Sequence, residues 1–100
     1  MTWVLDNDNA TLAYMTLELR SDGGWIDQLY VHPDATSRGY GTELLALAKR
    51  ELPAPIRLYT FQQNAGARRF YERVGFVIEQ LSDGLMNEER CPDVLYRWPA

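Results

Sequence analysis

Apolar and polar residues alternate along the first third of the chain. Met15, Leu17 and Leu19 are interleaved with Thr16, Glu18 and Arg20, the two-residue period of a strand with one buried face. Residues 2–5 and 11–19 are rich in β-formers and flank Asp6-Asn7-Asp8-Asn9, a run of turn residues, so a β-hairpin is expected. Ser21-Asp22-Gly23-Gly24 is a second turn. Trp25 to His32, closed by Pro33-Asp34, reads as the third strand of an antiparallel meander. The period then changes. Ala35 to Gly41 is a polar, glycine-containing loop. Over Thr42 to Glu51, Leu44, Leu45, Leu47 and Ala48 gather on one side and Glu43, Lys49 and Arg50 on the other, the pattern of an amphipathic helix. Pro53-Ala54-Pro55 ends it. Ile56 to Phe61 reads as a strand. Asn64 is an N-cap for a helix over Ala65 to Val74, and Gly75 occupies the position of a left-handed C-terminal cap. Phe76 to Leu81 and Val94 to Trp98 read as two last strands, joined by a polar connector over 82–93.

Strand, loop, helix and strand in succession make a βαβ unit. It requires parallel pairing of 25–32 with 56–61 and a right-handed crossover. The expected fold is therefore α/β or α+β. Its sheet is mixed, with an antiparallel start, a parallel centre and an antiparallel hairpin at the end, and helices lie on the sheet faces. A length of 100 residues fits a single domain over 1–100 with one core and little spare stability. The apolar runs are too short for a membrane helix. The first residues have neither the basic start nor the apolar stretch of a signal peptide. Cys91 is the only cysteine, which excludes an internal disulfide and argues against a structural zinc site. These features point to a cytoplasmic protein without a metal. Net charge is −4, and Lys49 is the only lysine among ten basic residues. That balance disfavours nucleic acid as a primary partner, because phosphate contacts need a clustered basic surface. It mildly favours a cationic partner.

Arg38-Gly39-Tyr40-Gly41-Thr42 lies between a strand and a helix N-terminus. Glycines there let backbone approach a ligand closely, and the free N–H groups with the helix dipole form an anion site. A P-loop would need a lysine before Thr42. A dinucleotide fingerprint would need a small residue where Leu44 stands. A coenzyme A pyrophosphate loop and a plain tight turn both remain open on the loop alone. A Cys–His pair from Cys91 and His32 lacks anything that places the two together. Asp6, Asp8 and Asn9 fit a turn better than a calcium loop.

A second motif, Asn64-Ala65-Gly66-Ala67-Arg68-Arg69-Phe70-Tyr71-Glu72-Arg73-Val74-Gly75-Phe76, follows the loop in order, and Leu29-Tyr30-Val31-His32-Pro33 precedes it. Together they resemble the GNAT family of N-acetyltransferases over about residues 11–98. The stretch Asn87 to Val94 looks like a branch of small bacterial members. The resemblance implies an acyl-CoA N-acyltransferase-like fold whose central parallel strands splay apart. Acetyl-CoA donates an acetyl group to a primary amine of a small molecule or a protein, with no metal. Leu29 and Val31 backbone groups would pair with the pantetheine arm, and the Val31 N–H would face the thioester carbonyl as an oxyanion donor. Such a donor is worth about 3 kcal/mol of barrier. Backbone N–H groups of Arg38, Gly39, Tyr40, Gly41 and Thr42 would hold the pyrophosphate. Asn64, Ala67 and Phe70 would reach the arm from the other side, and Tyr71 would protonate the leaving thiolate. Arg68 and Arg69 are candidates for a cofactor phosphate or, more simply, a solvated helix face.

The attacking amine must be neutral. Asp27 and Glu43 are candidate bases, with Glu72 and Glu79 behind them. Two departures from the family pattern stand out. Thr36 occupies a position usually held by Gln or Arg, which removes one side-chain contact to the cofactor. The strand and two helices that usually precede the matching region are missing, so the chain is expected to be N-terminally shortened, with a homodimer or another partner completing the acceptor wall. A non-catalytic CoA-binding sensor or assembly module is the alternative function.

Overall fold

A computed structural model describes residues 1–7, 10–32, 39–85 and 90–99, with backbone alone at 5–7 and 10. Six strands form one sheet: β1 (Thr2–Asn7), β2 (Ala10–Arg20), β3 (Gly23–Val31), β4 (Ile56–Phe61), β5 (Val77–Ser82) and β6 (Asp93–Trp98). Two helices, α1 (Tyr40–Glu51) and α2 (Ala65–Arg73), connect β3 to β4 and β4 to β5. The sheet order is β1-β2-β3-β4-β6-β5. Only β3 and β4 pair in parallel; the other neighbours are antiparallel.

The alternation in β2 does what its period predicts as far as Leu17, whereas Leu19, expected on the same buried face, is 69% exposed near the end of the strand. Ala13, Met15 and Leu17 are buried, while Tyr14 and Thr16 are half-buried and Glu18 is exposed. Both β4 and β5 run antiparallel to β6, so they are parallel to each other. The two crossovers therefore step the same way across the sheet. Right-handed crossovers in one direction put their helices on one face, which narrows the expectation of helices on the sheet faces. One core results. Met15, Leu17, Ile26, Ile56, Leu58 and Tyr96 of the sheet pack under Leu44, Leu45 and Ala48 of α1 and Tyr71 of α2. No helix among the described residues covers the opposite face, and none is long and apolar enough to cross a membrane.

The antiparallel hairpin expected at the end of the sheet is β5 with β6, and β6 is its inner strand, between β4 and β5. Its Val94, Leu95 and Tyr96 are all buried and need neighbours on both faces, whereas Ile78 and Leu81 of β5 are 44% and 56% exposed and suit an edge. Helix α1 begins at Tyr40, not Thr42. Gly39 is the turning point, with φ of 79°, a left-handed value that favours glycine. Gly41 lies inside the first turn for a different reason: a Cβ there would stand 3.0 Å from the Phe70 ring. At the end of α2, Gly75 takes φ of 101° as expected. Lys49 Nζ donates to the Val74 carbonyl at 2.9 Å and lies over the Trp98 ring.

Candidate active site

The sheet breaks at its parallel centre. β3 and β4 pair only over Gly24–Ile26 and Ile56–Leu58, although both strands continue beyond. A register shift in the β2–β3 pairing coincides with the break: Thr16 pairs with Gln28 but Leu17 with Ile26, which leaves Asp27 as an extra residue in β3. Such a bulge bends its strand and sharpens its twist. Past the bulge, the His32 N–H donates to the Leu12 carbonyl at 2.7 Å. Backbone groups alternate sides along a strand. The N–H and C=O of Val31 and Leu29 therefore point away from β2, into the gap that β4 leaves.

A cleft of about 780 Å³ occupies that gap on the helical side. The first turn of α1 opens onto it. The Glu43 N–H reaches the Gly39 carbonyl at 3.0 Å and no side chain among the described residues caps the helix, so the N–H groups of Tyr40, Gly41 and Thr42 have no partner within the helix. Gly39, Gly41 and Thr42 line the cleft. Opposite them stands α2. Its Asn64 Oδ1 accepts the Ala67 N–H at 3.1 Å, an N-cap that also fixes where the helix begins beside the gap. Asn64, Ala67, Phe70 and Tyr71 line the cleft from this side. Arg73, whose guanidinium is 5.7 Å from the Phe70 ring centre, is the only charged side chain among the described residues that line it.

A second cleft of about 330 Å³ opens toward the uncovered face, between Tyr14, Asp27 and Gln28 on one side and Tyr59 and Thr60 on the other. The two clefts share Leu29, Tyr30, Asn64, Ala67 and Tyr71. Tyr71 is 8% exposed, and its ring packs 5.4–6.0 Å from those of Phe70, Tyr96 and Phe76. Burial pushes its phenol up to about 12, with Tyr96 adding to the effect. Asp27 accepts a 2.8 Å hydrogen bond from Arg20. Burial and the neighbouring Glu18 carboxylate nevertheless raise it above the usual aspartate value.

The residues expected from the sequence largely converge. Leu29, Val31, Gly39, Gly41, Thr42, Asn64, Ala67, Phe70 and Tyr71 all meet at the larger cleft, Val31 at that cleft alone. Tyr40 turns its side chain into the core and offers only backbone. Arg38, Thr36 and residues 87–89 lie outside the described residues. Of the four carboxylates weighed as bases, only Asp27 lines a cleft. Glu43 is exposed on α1. Glu72 accepts the Tyr96 hydroxyl at 2.6 Å, and Glu79 is held by Arg57 and Arg97 at 2.9 and 3.0 Å. Arg68 is not simply a solvated side chain: it donates to the Tyr96 hydroxyl and the Gln62 carbonyl. Tyr14, Tyr30, Tyr59 and Arg73 also line the clefts; at alternating strand positions packing alone explains a tyrosine such as Tyr59, so the sequence does not single it out.

A strand gap facing a helix N-terminus, with a first turn that no described side chain caps and a buried tyrosine at the junction, has the shape and the donors to take an anionic, extended ligand. The chain matches the acetyltransferase (GNAT) family over residues 1–76, and it belongs to that family. No curated protein sequence matches it significantly. Solved structures share its fold. Nourseothricin acetyltransferase superposes with a TM-score of 0.84 at 20% identity, over 98% of this chain and 64% of that one. A protein of Bacillus anthracis str. Ames described as a streptothricin acetyltransferase, solved with acetyl coenzyme A, gives 0.82 at 22% identity, over 99% and 61%. The ribosomal-protein-S18-alanine N-acetyltransferase of Escherichia coli gives 0.78 at 19% identity, over 99% and 68%. The chain thus spans under two-thirds of the first two and slightly more of the third.

Proposed function

We propose that this chain transfers an acetyl group from acetyl-CoA to a primary amine. The observation that carries the reading is the junction. Tyr71 and Leu29 line both clefts, so a donor entering from the helical side and an acceptor entering from the open face would meet beside a free backbone N–H. Bound acetyl-CoA supplies the activated acetyl thioester. The uncapped N–H groups of α1 suit its pyrophosphate, and the unpaired edge of β3 suits the amides of its pantetheine arm. In the reaction an N–C bond forms and a C–S bond breaks; the amine gives up one proton and the leaving sulfur takes one.

Leu29 and Val31 each aim an N–H into the gap. The Leu29 group lies where the clefts meet and is the better placed of the two to stabilise charge on the acetyl oxygen, with Val31 holding the arm further along. Asp27 is two residues from Leu29, about 7 Å along a strand, so it takes the amine's proton through a water. Tyr71 serves the sulfur as a hydrogen-bond donor. A phenol near 12 is a weaker acid than a thiol near 8.5 by roughly 3.5 pKa units, and full transfer would be uphill by about 5 kcal/mol.

Two measurements test the reading: thermal melting with acetyl-CoA, using NAD and ATP as controls, and mass detection of acetylated amine. Acetyl-CoA at one hundred times its Kd should add about 2.7 kcal/mol, raising Tm by about 10 °C or more in a domain of this size. The absence of both a melting shift and an acetylated product, with every amine tried, would refute the proposal.

A further inference from the structure

Four of the six tyrosines in the chain, Tyr14, Tyr30, Tyr59 and Tyr71, line the single 330 Å³ cleft on the uncovered face. They come from β2, β3, β4 and α2, so no local sequence pattern requires them to meet. Tyr14 and Tyr30 stack at 5.3 Å with planes 26° apart. Tyr59 of β4 stacks on Trp25 of β3 at 5.7 Å with planes 24° apart, bridging the two strands beside their last pairs. One stacked pair thus borders the opening on the β2–β3 side, and the Tyr59 ring borders it on the β4 side. Tyr30 is 38% exposed and Tyr59 57% exposed, and the hydroxyls of Tyr14, Tyr30 and Tyr59 are bonded to none of the described residues. Flat apolar faces left open to water, beside hydroxyls that no described residue engages, suit a flat ligand that displaces that water.

We infer that the acceptor is an arylalkylamine, its ring held between the Tyr30 and Tyr59 walls and its amino group directed toward Leu29 and Tyr71. The inference rests on the acetyl-transfer reading and gives that site its substrate class. A polycationic acceptor suits the cleft less well. Asp27 is the only carboxylate among the described residues lining it, and Arg20 already holds that carboxylate at 2.8 Å. The same Arg20 bonds Glu18 at 3.1 Å and lies 4.4 Å from the Trp25 ring centre. The neighbouring charge is therefore spent within the chain, and the tyrosine faces are what remains for recognition. The cleft's volume lies at the small end of ligand sites, which fits one ring and a short alkyl arm.

The test uses the intact chain, saturating acetyl-CoA and three amines: 2-phenylethylamine, 2-cyclohexylethylamine and spermidine. The phenyl and cyclohexyl compounds have the same carbon count and arm, and they differ in flatness and π character. The phenyl compound should exceed both others in kcat/KM by about tenfold or more, the scale of stacking on two ring walls. Tyr59→Leu should cut that preference to under about threefold, and Tyr59→Phe should keep it. Acetyl-CoA-induced melting shifts in both variants check that they fold. Quenching of Trp fluorescence by 2-phenylethylamine, lost in Tyr59→Leu, reads binding without turnover. Product formed equally well from the cyclohexyl amine or from spermidine overturns the inference and leaves acetyl transfer standing. Absence of an acetyl-CoA melting shift and of any acetylated product overturns acetyl transfer itself, and the acceptor assignment with it.

Discussion

Tyr71 carries a stability signature that separates its buried phenol from every other group that titrates in alkali. Its phenol ionises near 12 in the native state and near 10 in an unfolded chain. Between those values the unfolded chain has released the proton and the native chain has kept it. Native protein then binds more protons, so stability falls as pH rises. The contribution is intact below about pH 10 and is lost as pH climbs through about 12. Two pKa units amount to about 2.7 kcal/mol, a large part of the 5–15 kcal/mol that holds a typical domain together. Tyr71→Phe removes this titration. Its hydroxyl bonds to none of the described residues, so the substitution should change stability at pH 7 by less than about 1 kcal/mol. Urea denaturation at pH 7, 9, 10, 11 and 12 measures the difference. The wild-type midpoint should fall more steeply than the variant's above pH 10. Tyr96 is also raised, by burial and by its bond to Glu72, but it is present in both proteins and cancels. Parallel curves for the two proteins would refute the reasoning, because they would mean that the Tyr71 phenol ionises equally easily folded and unfolded.

The same Tyr71→Phe variant should lose about 10- to 100-fold in kcat with little change in acetyl-CoA affinity, since a hydrogen bond to a charged group is worth about 1.5–3 kcal/mol; single-turnover rates and calorimetric titration read the two effects separately. Asn64→Ala deletes the 3.1 Å cap on the Ala67 N–H and should cost about 1 kcal/mol in urea denaturation. Gly24→Ala places a Cβ 2.7 Å from Leu52 Cβ, pushing α1 off the sheet at a cost of about 1–3 kcal/mol in the same assay. Glu79, held below the usual glutamate value by Arg57 and Arg97, contributes stability that is present above its unfolded value and is lost as pH falls through its native one. Glu79→Gln should therefore flatten the decline in stability between pH 5 and pH 3, seen in melting curves across that range.

The elements were legible because each rests on a local rule. The alternation from Met15 to Arg20 marks β2, Asn64 caps α2, Gly75 turns the chain out of it, and one helix between two strands implies a parallel pair. What was not legible depends on partners far along the chain. Which carboxylate can act as a base is decided by which cation folds onto it: Arg57 and Arg97 claim Glu79, the Tyr96 hydroxyl claims Glu72, and only Asp27 reaches a cleft. The meeting of Tyr14, Tyr30 and Tyr59 likewise needs three strands in register, and the shift that sets this register is a single unpaired residue. That residue ties the site together. Asp27 is the bulge in β3, and the last pair between β3 and β4 falls immediately before it, at Ile26 and Leu58. A bulge turns its strand away from its former course. One extra residue at this position therefore accounts for three features at once: the opening of the sheet, the free N–H of Leu29 beside it, and a carboxylate facing the cleft on the uncovered side.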